Sequence, residues 1–166
     1  TFAAKQFACR ELQAIGGAKS VPALAALLAD EKTADLARYA LERIGGDPAG
    51  QALRDALKTA KGAVRIGIVN SLGERREEAS VAALAALAGD PDAATADSAA
   101  VALGKIGGAD ALKALQAVAK PPAGVLGDAL LQCAGSLAAK RKADAAAVYR
   151  SLFERADASP VIRKGA

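Results

Sequence analysis

A thirteen-residue segment that occurs twice constrains this chain more than anything else in it. Ala34–Gly46, ADLARYALERIGG, returns as Ala96–Gly108, ADSAAVALGKIGG, with eight identical positions at an offset of 62. The matches include Asp35/Asp97, Leu41/Leu103, Ile44/Ile106 and both glycines of the closing pair. Weaker copies stand at half that spacing, between and around the two. A fixed period of this size marks a repeat array, in which one unit cannot bury its apolar face alone and stacked neighbours share a core.

The residues available to such an array are those of helices. The 166-residue chain is 52% hydrophobic with only 3% aromatic residues, and the apolar content is mostly alanine and leucine. Both are strong helix formers, and no long alternation of Val, Ile, Thr or Tyr argues for strands. The expected class is all-α. A net charge of +4, with acids and bases interleaved, permits an acidic partner without requiring one. Charge-free stretches such as Ala129–Ala139 fall short of the roughly 20 apolar residues of a membrane span. The chain starts at Thr1, contains no Met and offers no targeting segment, so it reads as a piece of a longer protein of unknown compartment.

Taken in order, the units are expected at about 1–31, 32–62, 63–90, 91–121 and 122–157, within one domain, with 158–166 opening a sixth. In the first, Gly16-Gly17 closes helix Phe2–Ile15, Ser20 is a candidate N-cap and Pro22 suits the first turn of a second helix. In the second, Gly45-Gly46 is expected to end helix Ala34–Ile44 through a left-handed C-cap. Asp47-Pro48 then reads as the N-cap and first residue of a partner helix, about Pro48–Ala60. The third copy departs from the pattern. Its helix Val64–Leu72 is followed by Arg75-Arg76-Glu77 where Ile-Gly-Gly should stand, which predicts a longer, polar turn. Ser80–Gly89 then repeats Ser20–Ala29 at an offset of 60. The fourth copy has helices near Ala93–Ile106 and Ala109–Ala119, stopped by Pro121-Pro122. The fifth ends on a helix near Ala143–Arg155.

A short two-helix unit with A-L-x-x-I-G-G at its turn and a leucine-striped second helix resembles HEAT repeats, most closely the short bacterial PBS-lyase HEAT-like class. The resemblance covers essentially the whole chain. It implies a right-handed α-solenoid of about five hairpins, with first helices outside and second helices lining the inner surface. It also implies a scaffold that binds proteins, while a minority of the family handles bilins, hydroxylates with iron, or grips DNA. The iron branch requires His-Glu pairs, and this chain has no histidine.

No residue cluster amounts to a catalytic centre, and no cofactor is expected. Cys9 and Cys133 fall on core-facing positions of first helices and read as small apolar residues. Asp35, Asp97 and Asp128 recur near first-helix starts, where they complement the helix dipole and form polar rungs between repeats. The glycine pairs follow helices rather than strands, so they are turns and not phosphate cradles. Lys140-Arg141-Lys142 is the densest basic run, and the chain from Lys120 onward has eight basic against four acidic residues. Without interleaved aromatics this is a weak nucleic-acid signature. The candidate partner-binding residues are those on the inner face of second helices: Gln51, Arg54, Asp55 and Lys58 in the second unit, Lys113, Gln116 and Lys120 in the fourth. Their equivalents in the first and third units, Pro22, Ala25, Ala26, Ala29 and Ala82, Ala85, Ala86, Gly89, are small. Smooth strips thus alternate with polar, mostly basic ones. The expected function is a non-enzymatic protein-binding or scaffolding module of a larger bacterial protein. Nucleic-acid binding is the second reading, and an accessory role beside a lyase or oxidoreductase the third.

Overall fold

The computed structural model describes residues 1–118, 124–138, 141–154 and 164. Among the described residues there are ten α-helices, two short 3₁₀ turns and no strand. In chain order the helices are α1 (Phe2–Ile15), α2 (Val21–Leu27), α3 (Glu31–Arg43), α4 (Asp47–Leu57) and α5 (Gly62–Arg75). They continue as α6 (Val81–Leu87), α7 (Ala93–Ile106), α8 (Gly108–Gln116), α9 (Val125–Ala138) and α10 (Lys142–Glu154). Pro121-Pro122, Lys140 and nearly all of 158–166 lie outside the described residues.

Two compact units divide the chain, Thr1–Arg75 and the part from Arg76 onward. In the first, α3 packs against α1 and α5 against α3, while α2 packs against α4. In the second, α7 packs against α9 and α6 against α8, with α10 on α9. First helix stacks on first helix and second on second, the arrangement of an α-solenoid. The third copy is divided, with α5 in the first unit and α6 in the second.

Leucines at the repeat positions supply the cores: Leu24, Leu41, Leu53 and Leu72 in the first unit, Leu84, Leu103 and Leu115 in the second, all buried. Burying each contributes about 1.5–3 kcal/mol relative to exposure. The alanines between them (Ala37, Ala40, Ala99, Ala102) are also buried and allow the helices to approach closely.

Helix starts differ from the expectation in an instructive way. Asp30 caps α3, accepting from the Lys32 amide at 3.0 Å, and Asp92 caps α7, accepting from the Thr95 amide at 3.1 Å. These side chains satisfy amides that a helix N-terminus leaves unpaired. Asp35 and Asp97 therefore stand a turn further in. Asp35 bonds Arg38 of its own helix, 2.6 Å away, rather than forming a rung to the next repeat. Ser20 makes no capping bond, because a 3₁₀ turn (Ala18–Ser20) already leads into α2. Asp47 is the first helical residue of α4, and Gly46 is its N-cap.

The glycine pairs do not share one role. Ile44, in extended conformation, ends α3, and of its pair only Gly46 has a positive φ, +87°. At the fourth copy Gly107 ends α7 with φ +69°. Gly16 needs no such conformation, with φ −67°. A Cβ there would run into the Leu12 carbonyl oxygen of its own helix and approach Ile44 Cδ1 to 2.8 Å, so glycine is needed between the end of α1 and the next hairpin.

Where the glycine pair is missing, an arginine works in the opposite direction. Helix α5 continues to Arg75, whose guanidinium reaches back to the end of α3. It donates from Nη1 to the carbonyls of Leu41 (2.7 Å) and Ile44 (2.5 Å), and from Nη2 to that of Gly46 (2.9 Å). The Leu41 and Ile44 carbonyls belong to the C-terminal end of α3, which leaves its last carbonyls unpaired, and Gly46 is the N-cap of α4. Arg76 follows with φ +52°, a left-handed conformation unusual for a side chain of its size.

Candidate protein-binding face

Second helices present the positions singled out by the repeat alignment to solvent in both units. Pro22, Ala26 and Ala29 are exposed around α2, and Ala25 is half-buried. Gln51, Asp55 and Lys58 are exposed along α4; Ala82, Ala86 and Gly89 are exposed around α6; Lys113, Gln116 and Ala117 are exposed around α8. Lys120 lies outside the described residues.

The charges on α4 are not the free cations that residue counting suggests. Arg54 folds along its own helix, its Nη2 3.0 Å from both Asp47 Oδ1 and Gln51 Oε1, and only 13% of its side chain is exposed. Lys58 Nζ lies 2.6 Å from Asp55 Oδ1. That hydrogen bond is the largest cause holding the Asp55 carboxyl below its ordinary range. Two acids thus answer two bases on this helix.

Concavity on this face lies between consecutive second helices. In the first unit a groove of about 610 Å³ runs between α2 and α4, floored by Ala25, Leu28, Ala29, Ala52, Ala56 and Ala60. Glu31, Asp55, Thr59 and Lys61 give it polar edges, and Val64 closes one end. In the second unit a smaller cavity of about 210 Å³ lies between α8 and α10. Leu112, Leu137 and Val148 form its apolar part, with Lys113, Gln116, Arg141 and Asp144 at its edge. Arg141 and Asp144 are ion-paired.

Of the residues named from sequence, the structure brings Ala25, Ala29 and Asp55 to the first groove and Lys113 with Gln116 to the second. Gln51, Arg54 and Lys58 line neither. The groove residues that repeat matching overlooked are Glu31, Thr59, Lys61 and Val64. Glu31 and Val64 stand in the first turns of α3 and α5, and Thr59 and Lys61 in the connection after α4. Their signal was present in the spacing, since Glu31 and Lys61 stand at the junctions where successive units meet.

Nothing in these grooves is arranged for nucleophilic chemistry. Both cysteines are buried, and burial pushes the Cys133 thiol up to about 11, with its Sγ 3.5 Å from the Gly108 carbonyl. Cys9 is also raised, by burial against the opposing charge of Lys5. Among the described residues no group of three or more His, Cys, Asp or Glu is placed to hold a metal ion. No helix of the described residues is long and apolar enough to cross a membrane.

Helical hairpins that recur at a fixed period and stack like on like define an α-helical repeat protein. The profile of the family described as HEAT repeats matches residues 50–135, just over half of the chain, and the chain belongs to that family. No curated protein matches it as a relative. HEAT repeats generally act as protein-interaction and scaffold modules, and the family is typically non-catalytic.

Proposed function

We propose that this chain is a non-catalytic protein-binding module that holds its partner against the second-helix face. The observation behind this reading is that the described concavities of both units open on that face, between α2 and α4 and between α8 and α10. Their floors are alanine and leucine, and their edges are polar. That composition suits a polypeptide partner, whose apolar side chains fill the floor while its polar groups meet the edge.

Site-specific photocrosslinking tests the assignment. A photoreactive phenylalanine analogue placed at Ala29 or Ala82, both exposed beside second helices, is expected to trap a protein in lysate of the source organism. The same probe at Gln13 or Asn70, exposed on first helices, is expected to trap none. Trapping only from the first-helix positions would refute the reading. Nucleic acid retained by the chain and released by moderate salt would replace it with the nucleic-acid reading.

A further inference from the structure

Helix α1 turns to solvent a face that its counterparts in other repeats bury. Counted from the shared repeat position of Leu12 and Leu41, Ala8, Glu11 and Ile15 of α1 match Ala37, Ala40 and Ile44 of α3. The three α3 residues are buried, at 0%, 0% and 2% exposure. In α7 the matching Ala99 and Ala102 are buried as well. On α1 all three positions are exposed, Ile15 to 80%, and Phe7 on the same side of the helix is 67% exposed. We infer that this face of α1 is a stacking surface for a further HEAT-type hairpin, whose first helix brings an arginine or lysine against Glu11. The face lies on a first helix, apart from the second-helix grooves, so its stacking stands or falls separately from the protein-binding reading.

Contacts within the first unit show what covers such a face. Thr33 Oγ donates to the Leu27 carbonyl of the preceding hairpin at 2.9 Å, and Ile44 lies against Gly16 of that same hairpin. Ala4 and Ile15 hold the matching places on α1. The exposed side of α1 is therefore built as the covered side of α3 is, with small residues that let a helix come close and an isoleucine at the end.

Glu11 sets the charge of the occupant. At the matching place α5 has Ser71, and there the preceding helix supplies a cation, with Arg38 of α3 donating from Nη1 to Ser71 Oγ at 3.3 Å. The same guanidinium lies over Gly67, where a Cβ would meet Arg38 Nε at 2.6 Å. Phe7 and Glu11 are the α1 residues that match Gly67 and Ser71. Three and four residues from Glu11 stand Phe7, Ala8, Ala14 and Ile15, so its own helix places no cation to pair with it. A carboxylate covered by a helix is costly without a countercharge. An arginine at the place that Arg38 has on α3 would meet the Glu11 carboxylate and the Phe7 ring together.

The experiment adds a hairpin to the full chain. One fusion places a second copy of residues 31–61, helices α3 and α4 with the connection after them, directly before Thr1. Another places a second copy of residues 1–30, in which Cys9 stands where Arg38 would be. Ile15→Cys in the original α1, smaller than the residue it replaces, reports coverage through its alkylation rate, and circular dichroism reports the helix gained. The 31–61 fusion is expected to gain the helicity of its added hairpin and to slow alkylation at residue 15 at least about tenfold relative to the unfused chain. Glu11→Gln in the original α1 should remove about two- to fivefold of that protection, the size of one partly exposed charge pair. In the 1–30 fusion, where no cation covers the carboxylate, the same substitution should raise protection instead. Alkylation as fast in both fusions as in the unfused chain, or added residues that stay unhelical in both, would overturn the stacking surface. Protection that Glu11→Gln changes alike in both fusions would overturn the cation while leaving the surface. Protection in the unfused chain that grows with its concentration would overturn the hairpin and assign the face to a second copy.

Discussion

Replacing Arg75 by methionine is expected to destabilise the first unit by about 3 kcal/mol, the upper value for a hydrogen-bonded charged group. The side chain spans from the end of α5 to the end of α3, and its two terminal nitrogens serve the carbonyls of Leu41, Ile44 and Gly46. Hydrogen bonds to a charged group contribute about 1.5–3 kcal/mol each, but one guanidinium shared among several carbonyls does not give a full increment for each. Methionine keeps most of the apolar stem, so the loss isolates the guanidinium. Lysine keeps the charge as a single point without the planar fork, and is expected to recover about half. Urea unfolding followed by far-UV circular dichroism gives the comparison. With a slope of about 2 kcal/mol per molar, the methionine variant's midpoint falls by roughly 1.5 M. Amide exchange should quicken first around the Ile44–Gly46 turn. A methionine variant whose midpoint matches the parent's would refute the clamp, and a lysine variant equal to arginine would show that charge alone suffices.

Ile44 and Ile15 occupy the same repeat position but are 2% and 80% exposed, so Ile44→Ala should cost about 2–4 kcal/mol and Ile15→Ala less than about 0.5 in chemical denaturation. Gly46→Ala should cost about 1–3 kcal/mol because its φ is +87°, whereas Gly45→Ala, with open space at its Cβ and no positive φ, should be nearly neutral. Cys133 titrates near 11 in the fold against an ordinary 9.0, so the folded state holds its proton more tightly than the unfolded chain. Its contribution is complete below pH 9.0 and is lost as pH rises toward about 11, and Cys133→Ala should flatten that alkaline decline in thermal melts. The thiol should also resist alkylation at about pH 8 until the chain is unfolded.

Much of the fold was legible because alanine, leucine and glycine recur with a period that only stacked hairpins satisfy. Leu41, Leu103 and Ile44, which the repeat alignment selects, are buried, whereas Ile106 at the matching position is half-buried and Ile15 is exposed. Helix boundaries were less legible. The capping aspartates Asp30 and Asp92 stand at the same offset of 62 as the segment they precede, yet they lie outside its apolar pattern. The glycine pairs look alike in sequence and differ in structure, because their conformations depend on what packs over them: Ile44 beside Gly16, Ser136 beside Gly107. The clamp of Arg75 was hidden because its acceptors lie a full repeat upstream and are backbone atoms, which no residue pattern records.

The sign of a binding surface is harder still to count from a sequence, and α4 shows why. Arg54 and Lys58 fall on the exposed stripe of the helix, so a tally of residues makes the stripe basic. Helix geometry places Asp47 two turns before Arg54, and Asp55 one turn before Lys58, where each carboxylate bonds its cation. An ion pair within one helix cancels most of the field that either partner would project into a neighbouring groove. What remains is set by the groups such pairs do not consume, and beside α2 and α4 these stand at the loop ends, on Glu31 and Lys61. The repeat-conforming residues build the groove. Glu31 and Lys61 oppose one another, so a stripe that a tally of residues makes basic projects close to no net charge into the groove.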